Sequence, residues 1–291
     1  MLGTLDLPGY EECVFTPIND SSRLFLIKKG EQKKVLRLLK KENAHEYACL
    51  EIASKCGYGP KIELCDEEKG ICIMEYLSID PFHRISEKKL ITLLAEFLRK
   101  MHRGPSFAKR VKIMDQIAEL FVVVKTRNGY LNKERASQIE LNLKKMSATF
   151  EDFSHLAPCH RDLNSTNVIF SKGNFYAIDF ETASQDDPFF DLATLANSYF
   201  GSSATDSAFL KAYFGRNPTQ KEETKLHLMR LVVLIFYALG ILNLVGQDAS
   251  APQDDITSFE PLMTTSVVDK TTAAYKLGAA SCMLNMASKY R

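Results

Sequence analysis

The chain has 291 residues, which is enough for one large domain or for two lobes that each bury a core. Its 37 basic and 36 acidic residues nearly cancel, which argues against a protein that binds nucleic acid over a broad surface. The seven cysteines are scattered without a CxxC pair and the N-terminus has no signal-peptide pattern, so we expect a reduced, cytoplasmic chain without a zinc site.

Short runs typical of β-strands dominate the chain before residue 78. They read CVFTPI, RLFLIKKG, KKVLRLL, KIELCD and GICIMEYL. One helix interrupts them at roughly residues 42–56, and Gly57 follows at the position where a left-handed residue commonly ends a helix. We therefore predict a small β-rich lobe over residues 1–77.

From residue 78 onwards the sequence is mostly helical. The segment 86–104 starts with Ser86, a good N-cap, and stops at Gly104 before a proline. Its apolar residues share one helical face: Leu90, Leu94, Phe97, Leu98 and Met101. We thus predict an α+β protein with a second, α-rich lobe over residues 78–291 and a ligand-binding cleft between the lobes.

A polar loop, CHRDLNSTNVIF at residues 159–170, leads into a pattern of strand, turn and strand: NVIF, SKGN and FYAIDF. This hairpin would bring Asn167 close to Asp179, while Asp162 lies in the loop just before it. Two hard oxygen ligands, Asn167 and Asp179, can hold Mg²⁺ together with phosphate oxygens and water. Asp162 would remain free to accept a proton from an attacking hydroxyl, so the three residues predict a phosphoryl-transfer site. The alternative is that they are ordinary turn residues.

A run of 16 almost entirely apolar residues, LVVLIFYALGILNLVG, occupies positions 231–246. A helix that spans a membrane needs about 20 such residues. We therefore interpret the run as a buried core helix and expect no stable membrane insertion. A membrane anchor is the alternative.

The motifs around the polar loop resemble those of a known enzyme group. HRDLNSTN matches the kinase catalytic-loop pattern H-R-D-L-x-x-x-N, but DFE stands where protein kinases have DFG, and A-P-E is absent. DPFFDLA follows almost at once and leaves little room for an activation loop. The combination resembles the choline/ethanolamine kinases and aminoglycoside phosphotransferases, which are protein-kinase-like enzymes that act on small molecules. LLAEFLRKMH and GYGPKIEL are also similar to that group, so the resemblance covers roughly residues 20–200.

The resemblance implies a two-lobe, protein-kinase-like fold and a role for each residue of the loop. Asp162 would be the catalytic base, and Asn167 and Asp179 would hold Mg²⁺. His160 would brace the loop, and Asp191 in FFDLA would bond to the loop backbone. The implied cofactors are ATP and Mg²⁺, bound by the N-terminal lobe and the cleft.

KKVLRLL occupies the position of the kinase strand that carries the phosphate-binding lysine. Strand alternation places Val35 and Arg37 on one face, so Val35 would line the adenine and Arg37 would reach the phosphates. The alternative is that Arg37 belongs to a solvated basic run with its neighbouring lysines.

Glu46 is the expected partner of Arg37. On the predicted helix it shares the inward face with Leu50 and Ala53, and an inward carboxylate needs a partner. A surface pair with Lys41 or Lys55 is the alternative.

The loop that would cover the phosphates, INDSSR at residues 18–23, contains no glycine. Neither G-x-G-x-x-G nor the Walker pattern occurs in the chain. Ser21 and Ser22 could donate hydrogen bonds to phosphate, or they could be turn residues only. In MEYL, Glu75 and Leu77 mark the expected hinge, whose backbone would bind the adenine.

These observations predict an ATP-dependent phosphotransferase that acts on a hydroxyl of a small molecule. Choline or a related amino alcohol is the favoured substrate, because DFE and DPFFDLA resemble that branch. Aminoglycoside, thiamine or sugar kinases, a protein kinase and a pseudokinase binding module remain alternatives. The chain has no tryptophan to bind a quaternary ammonium, and the acidic run 253–260 would suit aminoglycosides. Six other aromatic residues could replace tryptophan: Tyr199, Phe200, Tyr213, Phe214, Tyr237 and Tyr275.

Overall fold

The N-terminal runs form one antiparallel sheet with the strand order β1-β2-β3-β5-β4. Its strands are β1 (Val14–Pro17), β2 (Leu24–Lys29), β3 (Gln32–Leu38), β4 (Ile62–Asp66) and β5 (Ile71–Glu75). The computed structural model describes residues 14–17, 23–38, 44–81, 84–127, 130–150, 155–200, 202–245 and 273–289.

Strand β3 contributes to two apolar clusters because its side chains alternate between the faces of the sheet. Leu36 is fully buried in a small outer cluster with four residues of β2 and β5: Phe25, Ile27, Ile71 and Ile73. Val35 packs against the large core on the opposite face. Arg37 points to the same side as Val35, as the alternation predicts.

Helix α1 (Ala44–Cys56) connects β3 to β4 and ends where the sequence predicts. Gly57 has a φ of +68°, and the next residue, Tyr58, donates its N–H to the carbonyl of Ala53 at 3.1 Å. This left-handed C-terminal cap favours glycine. The predicted first residues of the helix, 42 and 43, lie outside the described residues.

Helices make up most of the chain after β5. They are α2 (Glu87–His102), α3 (Ile113–Arg127), α4 (Lys133–Phe150), α5 (Pro188–Tyr199), α6 (Ser203–Phe214), α7 (Gln220–Val245) and α8 (Ala273–Lys289). The Ser86 hydroxyl accepts the N–H of Lys89 at 3.4 Å, so α2 begins at its predicted cap. The large core gathers apolar side chains from these helices and from the inner face of the sheet.

Among the described residues of the helical part lie the short strands β6 (Ala157–Cys159), β7 (Val168–Ser171), β8 (Asn174–Ala177) and β9 (Ser184–Asp186). Strands β7 and β8 form the predicted hairpin, and β6 pairs with β9. The segment after β5 is tied to the hairpin, because Asp80 donates its N–H to the Phe170 carbonyl at 2.8 Å and accepts the Lys172 N–H at 2.6 Å. The sheet ends at Glu75, while the lobe boundary at residue 77 stays a prediction.

The apolar run lies within α7, which packs against α3, α5 and α8. In the part of the chain that the structure describes, α7 alone is long and apolar enough to cross a membrane. However, 61% of its most apolar 18-residue window is buried inside the protein. Core packing therefore accounts for its composition, as the sequence analysis expects.

Two glycine substitutions should change stability in opposite directions. A Cβ added at Gly59 would lie 2.8 Å from the Cβ of Ala53 and 3.3 Å from its carbonyl carbon. We expect Gly59→Ala to lower the free energy of unfolding by about 1–3 kcal/mol. A Cβ added at Gly240 in α7 would lie in open space, so Gly240→Ala should raise the free energy of unfolding by about 0.5–1 kcal/mol. Urea denaturation of both variants checks the pair, and a stabilised Gly59→Ala would contradict the packing described for α1.

Candidate active site

The carboxylate of Asp191 holds the polar loop in place. Asp191 lies in the first turn of α5, which begins at the Asp187 cap and Pro188. Its Oδ2 accepts the His160 N–H at 2.8 Å, its Oδ1 accepts the Arg161 N–H at 2.8 Å, and His102 Nε2 donates to Oδ2 at 3.1 Å. Burial opposes ionisation, but these donors outweigh it and keep the pKa of Asp191 below its ordinary value.

His160 braces the loop, as the resemblance implies. Its Nε2 donates to the Ile178 carbonyl at 2.9 Å, and its Nδ1 accepts the Asp162 N–H at 3.3 Å. Burial lowers the pKa of His160, so a neutral ring with an accepting Nδ1 is favoured. The neighbouring Arg161 has a φ of +67°, a left-handed conformation that the surrounding hydrogen bonds stabilise.

Asp162 is surrounded by side-chain donors. Its Oδ1 accepts hydrogen bonds from the Tyr237 hydroxyl at 2.7 Å and from Asn164 Nδ2 at 2.9 Å. Its Oδ2 accepts one from Asn167 Nδ2 at 2.8 Å. Burial raises the pKa of Asp162, and the bonds from Tyr237 and Asn164 offset this only in part.

The hairpin brings Asn167 and Asp179 to adjacent positions at its open end. The N–H of Ile178 donates to the Asn167 carbonyl at 3.0 Å, which fixes the two segments side by side. The amide nitrogen of Asn167 also bonds to the Asp162 carbonyl at 3.0 Å, so its amide oxygen is the atom left to bind a cation. Asp179 has a left-handed backbone with a φ of +68°, and its side chain is 36% exposed.

Arg37 links strand β3 to α1 and to the hairpin. Its guanidinium forms an ion pair with Glu46, which is 3% exposed, and lies 2.7 Å from Asp179 Oδ1. Burial lowers the pKa of Arg37, but the two carboxylates outweigh this and leave it above its ordinary value. The predicted partnership with Glu46 is confirmed, and the interpretation of Arg37 as part of a solvated basic run is wrong.

The alternative partners of Glu46 are not supported. Lys55 pairs with Glu51 at 3.2 Å on the exposed side of α1, and Lys41 lies outside the described residues. Lys34, three residues before Arg37 and on the opposite face of β3, pairs with Glu63 instead.

The remaining predicted nucleotide-binding residues have different surroundings. Val35 lies on the Arg37 side of the sheet, and Leu77 is buried after the end of β5. Glu75 is engaged with the sheet edge, because its N–H donates to the Lys61 carbonyl at 2.9 Å and its Oε1 accepts the Lys61 N–H at 2.8 Å. Ser21 and Ser22 lie outside the described residues.

Tyr237 is the residue of the site that sequence reasoning did not single out. It was one of six aromatic candidates for a substrate box. Four of the other candidates have contacts elsewhere: Tyr199 contacts Phe175, Phe200 contacts Phe209, Tyr213 contacts His102, and Phe214 contacts Phe189. The side chain of Tyr275 lies outside the described residues. The available signal was a phenol hydroxyl inside an apolar helix, which needs a polar partner when buried.

Comparisons with known sequences identify related proteins. The model of the APH family, described as a phosphotransferase enzyme family, matches residues 15–224. Protein LicA of Haemophilus influenzae is 23% identical over 192 residues, which cover 62% of this chain and 70% of that protein. A second LicA sequence from the same species is covered over 55% of its length.

Comparisons with solved structures support the fold. A choline/ethanolamine kinase family protein from Mesorhizobium loti has a TM-score of 0.72 at 18% identity, with 98% of this chain and 94% of that chain covered. Choline kinase LicA from Streptococcus pneumoniae has a TM-score of 0.63 at 19% identity, with 93% and 92% covered. The predicted protein-kinase-like arrangement of a small β-lobe and a helical lobe is therefore confirmed. Because the family model spans most of its length, the chain belongs to the APH phosphotransferase enzyme family.

Proposed function

We propose that this phosphotransferase moves the terminal phosphoryl group of ATP to the hydroxyl of a small amino alcohol, with choline as its substrate. The observation that carries the proposal is the convergence of Asp162, Asn167, Asp179 and Arg37 at the junction of the hairpin, α1 and β3. We also propose a cytoplasmic enzyme without a nucleic-acid or stable membrane partner, in keeping with the balanced charge and the buried α7.

Asp162 is the proposed general base. Its carboxylate is held by donors on both oxygens and is supported by a loop whose backbone is bonded to Asp191. Such a fixed carboxylate can orient the acceptor hydroxyl and take its proton as the oxygen attacks phosphorus.

Asn167 and Asp179 are the proposed Mg²⁺ ligands. The donor set fits, because an amide oxygen and a partly exposed carboxylate are hard ligands that suit this cation. The nitrogen of the Asn167 amide is already used by Asp162, which leaves the oxygen for the ion. Bound Mg²⁺ would neutralise charge on the phosphate oxygens.

Arg37 is proposed to contact the phosphates, with Glu46 holding its guanidinium on the cleft side of β3. Val35 would line the adenine, and the backbone near Glu75 and Leu77 would bind its edge. A solved structure described as LicA in complex with AMP, at a TM-score of 0.64, agrees with nucleotide binding in this fold. We include in the same proposal that Ser21 and Ser22 take the place of a glycine-rich loop.

The choice of choline rests on two supports. Structural relatives include proteins described as choline and ethanolamine kinases. Tyr237 places an aromatic ring beside the proposed base, and aromatic faces attract quaternary ammonium groups. An aminoglycoside is the second candidate, because a streptomycin–ATP complex of APH(2")-IIa shares the fold at a TM-score of 0.58.

The protein-kinase and pseudokinase alternatives fit the site less well. Only eight residues separate Asp179 from Pro188, where α5 begins, so the described structure has no long activation segment between them. The proposed base and both proposed Mg²⁺ ligands are present together, which favours an active enzyme over a binding module.

The proposal is tested by ADP release with choline, ethanolamine, thiamine, streptomycin and glucose as acceptors. We expect the highest turnover with choline. Asp162→Asn keeps the size of the side chain but loses the base, so turnover should fall about 10²–10⁴-fold while Mg²⁺-ATP still raises the melting temperature. Asp179→Asn should lose both turnover and the Mg²⁺-dependent part of that thermal shift.

The contrast between the two variants is the control, since both remove one carboxylate charge within the same site. Full phosphotransfer by Asp162→Asn would contradict the proposed mechanism. Turnover with streptomycin but not with choline would reassign the substrate class, and no thermal shift with millimolar Mg²⁺-ATP would contradict the kinase proposal.

Arg37→Ala should weaken ATP binding. Loss of the guanidinium also removes the ion pair with the buried Glu46, so we expect a lower melting temperature as well. Arg37→Lys should recover part of the affinity, because the charge returns without the planar fork. Lys34→Ala on the same strand is the matched control, since Lys34 pairs with Glu63 at the surface. Isothermal titration with ATP measures all three, and wild-type affinity in Arg37→Ala would remove Arg37 from the phosphate site.

A further inference from the structure

Tyr237 joins the long apolar helix α7 to the loop that carries the proposed base. Its hydroxyl donates to Asp162 Oδ1 at 2.7 Å. Helix α5 packs directly against α7. Because α5 carries Asp191 as well, the same helix supports both the loop backbone and the tyrosine that contacts the base.

The hydrogen bonds to Asp162 occupy three of its lone pairs. A carboxylate has about four such sites, two on each oxygen. Tyr237 and Asn164 bond to Oδ1, and Asn167 bonds to Oδ2. Among the described residues, this leaves one lone pair, on Oδ2, for the hydroxyl of an acceptor.

We propose that Tyr237 is a positioning residue that holds the Asp162 carboxylate in the rotation where Oδ2 faces the acceptor. The inference rests on the proposed function and refines it. As the acceptor oxygen bonds to the terminal phosphorus, its O–H bond breaks and the proton passes to Oδ2. The bond from phosphorus to the bridging oxygen breaks at the same time, and ADP leaves with that electron pair.

The geometry distinguishes this role from ordinary core packing. Phe236, the neighbour of Tyr237, packs its ring edge against Phe190 in the core. Tyr237 instead directs its one polar atom at the proposed base. A hydrogen bond to a charged group is stronger than one between neutral groups. Loss of the Tyr237 hydroxyl should therefore change the orientation of the Asp162 carboxylate more than it changes the stability of the fold.

Tyr237→Phe removes only the hydroxyl and keeps the ring. With choline as the acceptor, we expect kcat to fall about 10-fold to 100-fold, with the melting temperature and the KM for ATP near wild-type values. The double variant Asp162→Asn/Tyr237→Phe should be no slower than Asp162→Asn alone, because the tyrosine acts through the carboxylate. Tyr58→Phe is the matched control, since the buried Tyr58 hydroxyl has no partner among the described residues.

Several results would overturn the inference. These are wild-type kcat in Tyr237→Phe, an additive loss in the double variant, or phosphate found on Tyr237 by mass spectrometry, which would make this tyrosine an acceptor. A crystal structure of the unliganded protein with the Tyr237 oxygen more than 3.5 Å from both Asp162 oxygens would also overturn it. If the wild type phosphorylates no acceptor at all, the proposed function fails, while the crystal structure still tests the hydrogen bond on its own.

Discussion

The carboxylate of Asp191 is the interaction on which the site depends. It is a fully buried charge whose two oxygens receive two backbone N–H groups and one histidine donor. A buried charge of this kind is stable only when it is hydrogen-bonded, so the loop and α5 must keep one relative position. That position determines where His160 meets Asp162 and where the hairpin starts.

A second set of charges connects the sheet to this region. Arg37 reaches from β3 to Glu46 on α1 and to Asp179 after the hairpin. The α1 helix also contacts the segment after Asp179 directly, since His45 Nε2 lies 2.5 Å from the Ala183 carbonyl. The N-terminal sheet and the helical part of the chain are therefore joined at the site itself as well as through residues 76–81.

Sequence reasoning predicted those parts of the structure that follow a local rule. Strand alternation placed Val35 and Arg37 on one face of β3, and helical spacing turned Glu46 inward. The contact between Arg37 and Glu46 could therefore be expected. Strand and turn signals predicted the hairpin that brings Asn167 beside Asp179. The resemblance to known kinases added the two-lobe arrangement and the contact of Asp191 with the loop backbone.

Such local rules could not predict the contact of Tyr237 with Asp162. Helix α7 is apolar on nearly every side, so no periodic pattern separates a residue that faces the loop from one that faces α8. Its contact with Asp162 joins residues 75 positions apart and depends on how several helices pack together. The surroundings of Glu75 were equally unpredictable, because they arise from pairing across an irregular stretch of β4 and β5.

The two faces of β3 constrain how this chain can change in length. Moving the strand by one residue would exchange its faces, placing the Arg37 guanidinium in the outer apolar cluster and Leu36 against Glu46. An insertion of a single residue within β3 would therefore disrupt the small core and the ion pair together. An insertion in the turn at Gly30 and Glu31 would leave both faces intact, since that loop is exposed. Variation in length among proteins with this arrangement should thus accumulate at the tip of the β2–β3 hairpin and be absent from the strand.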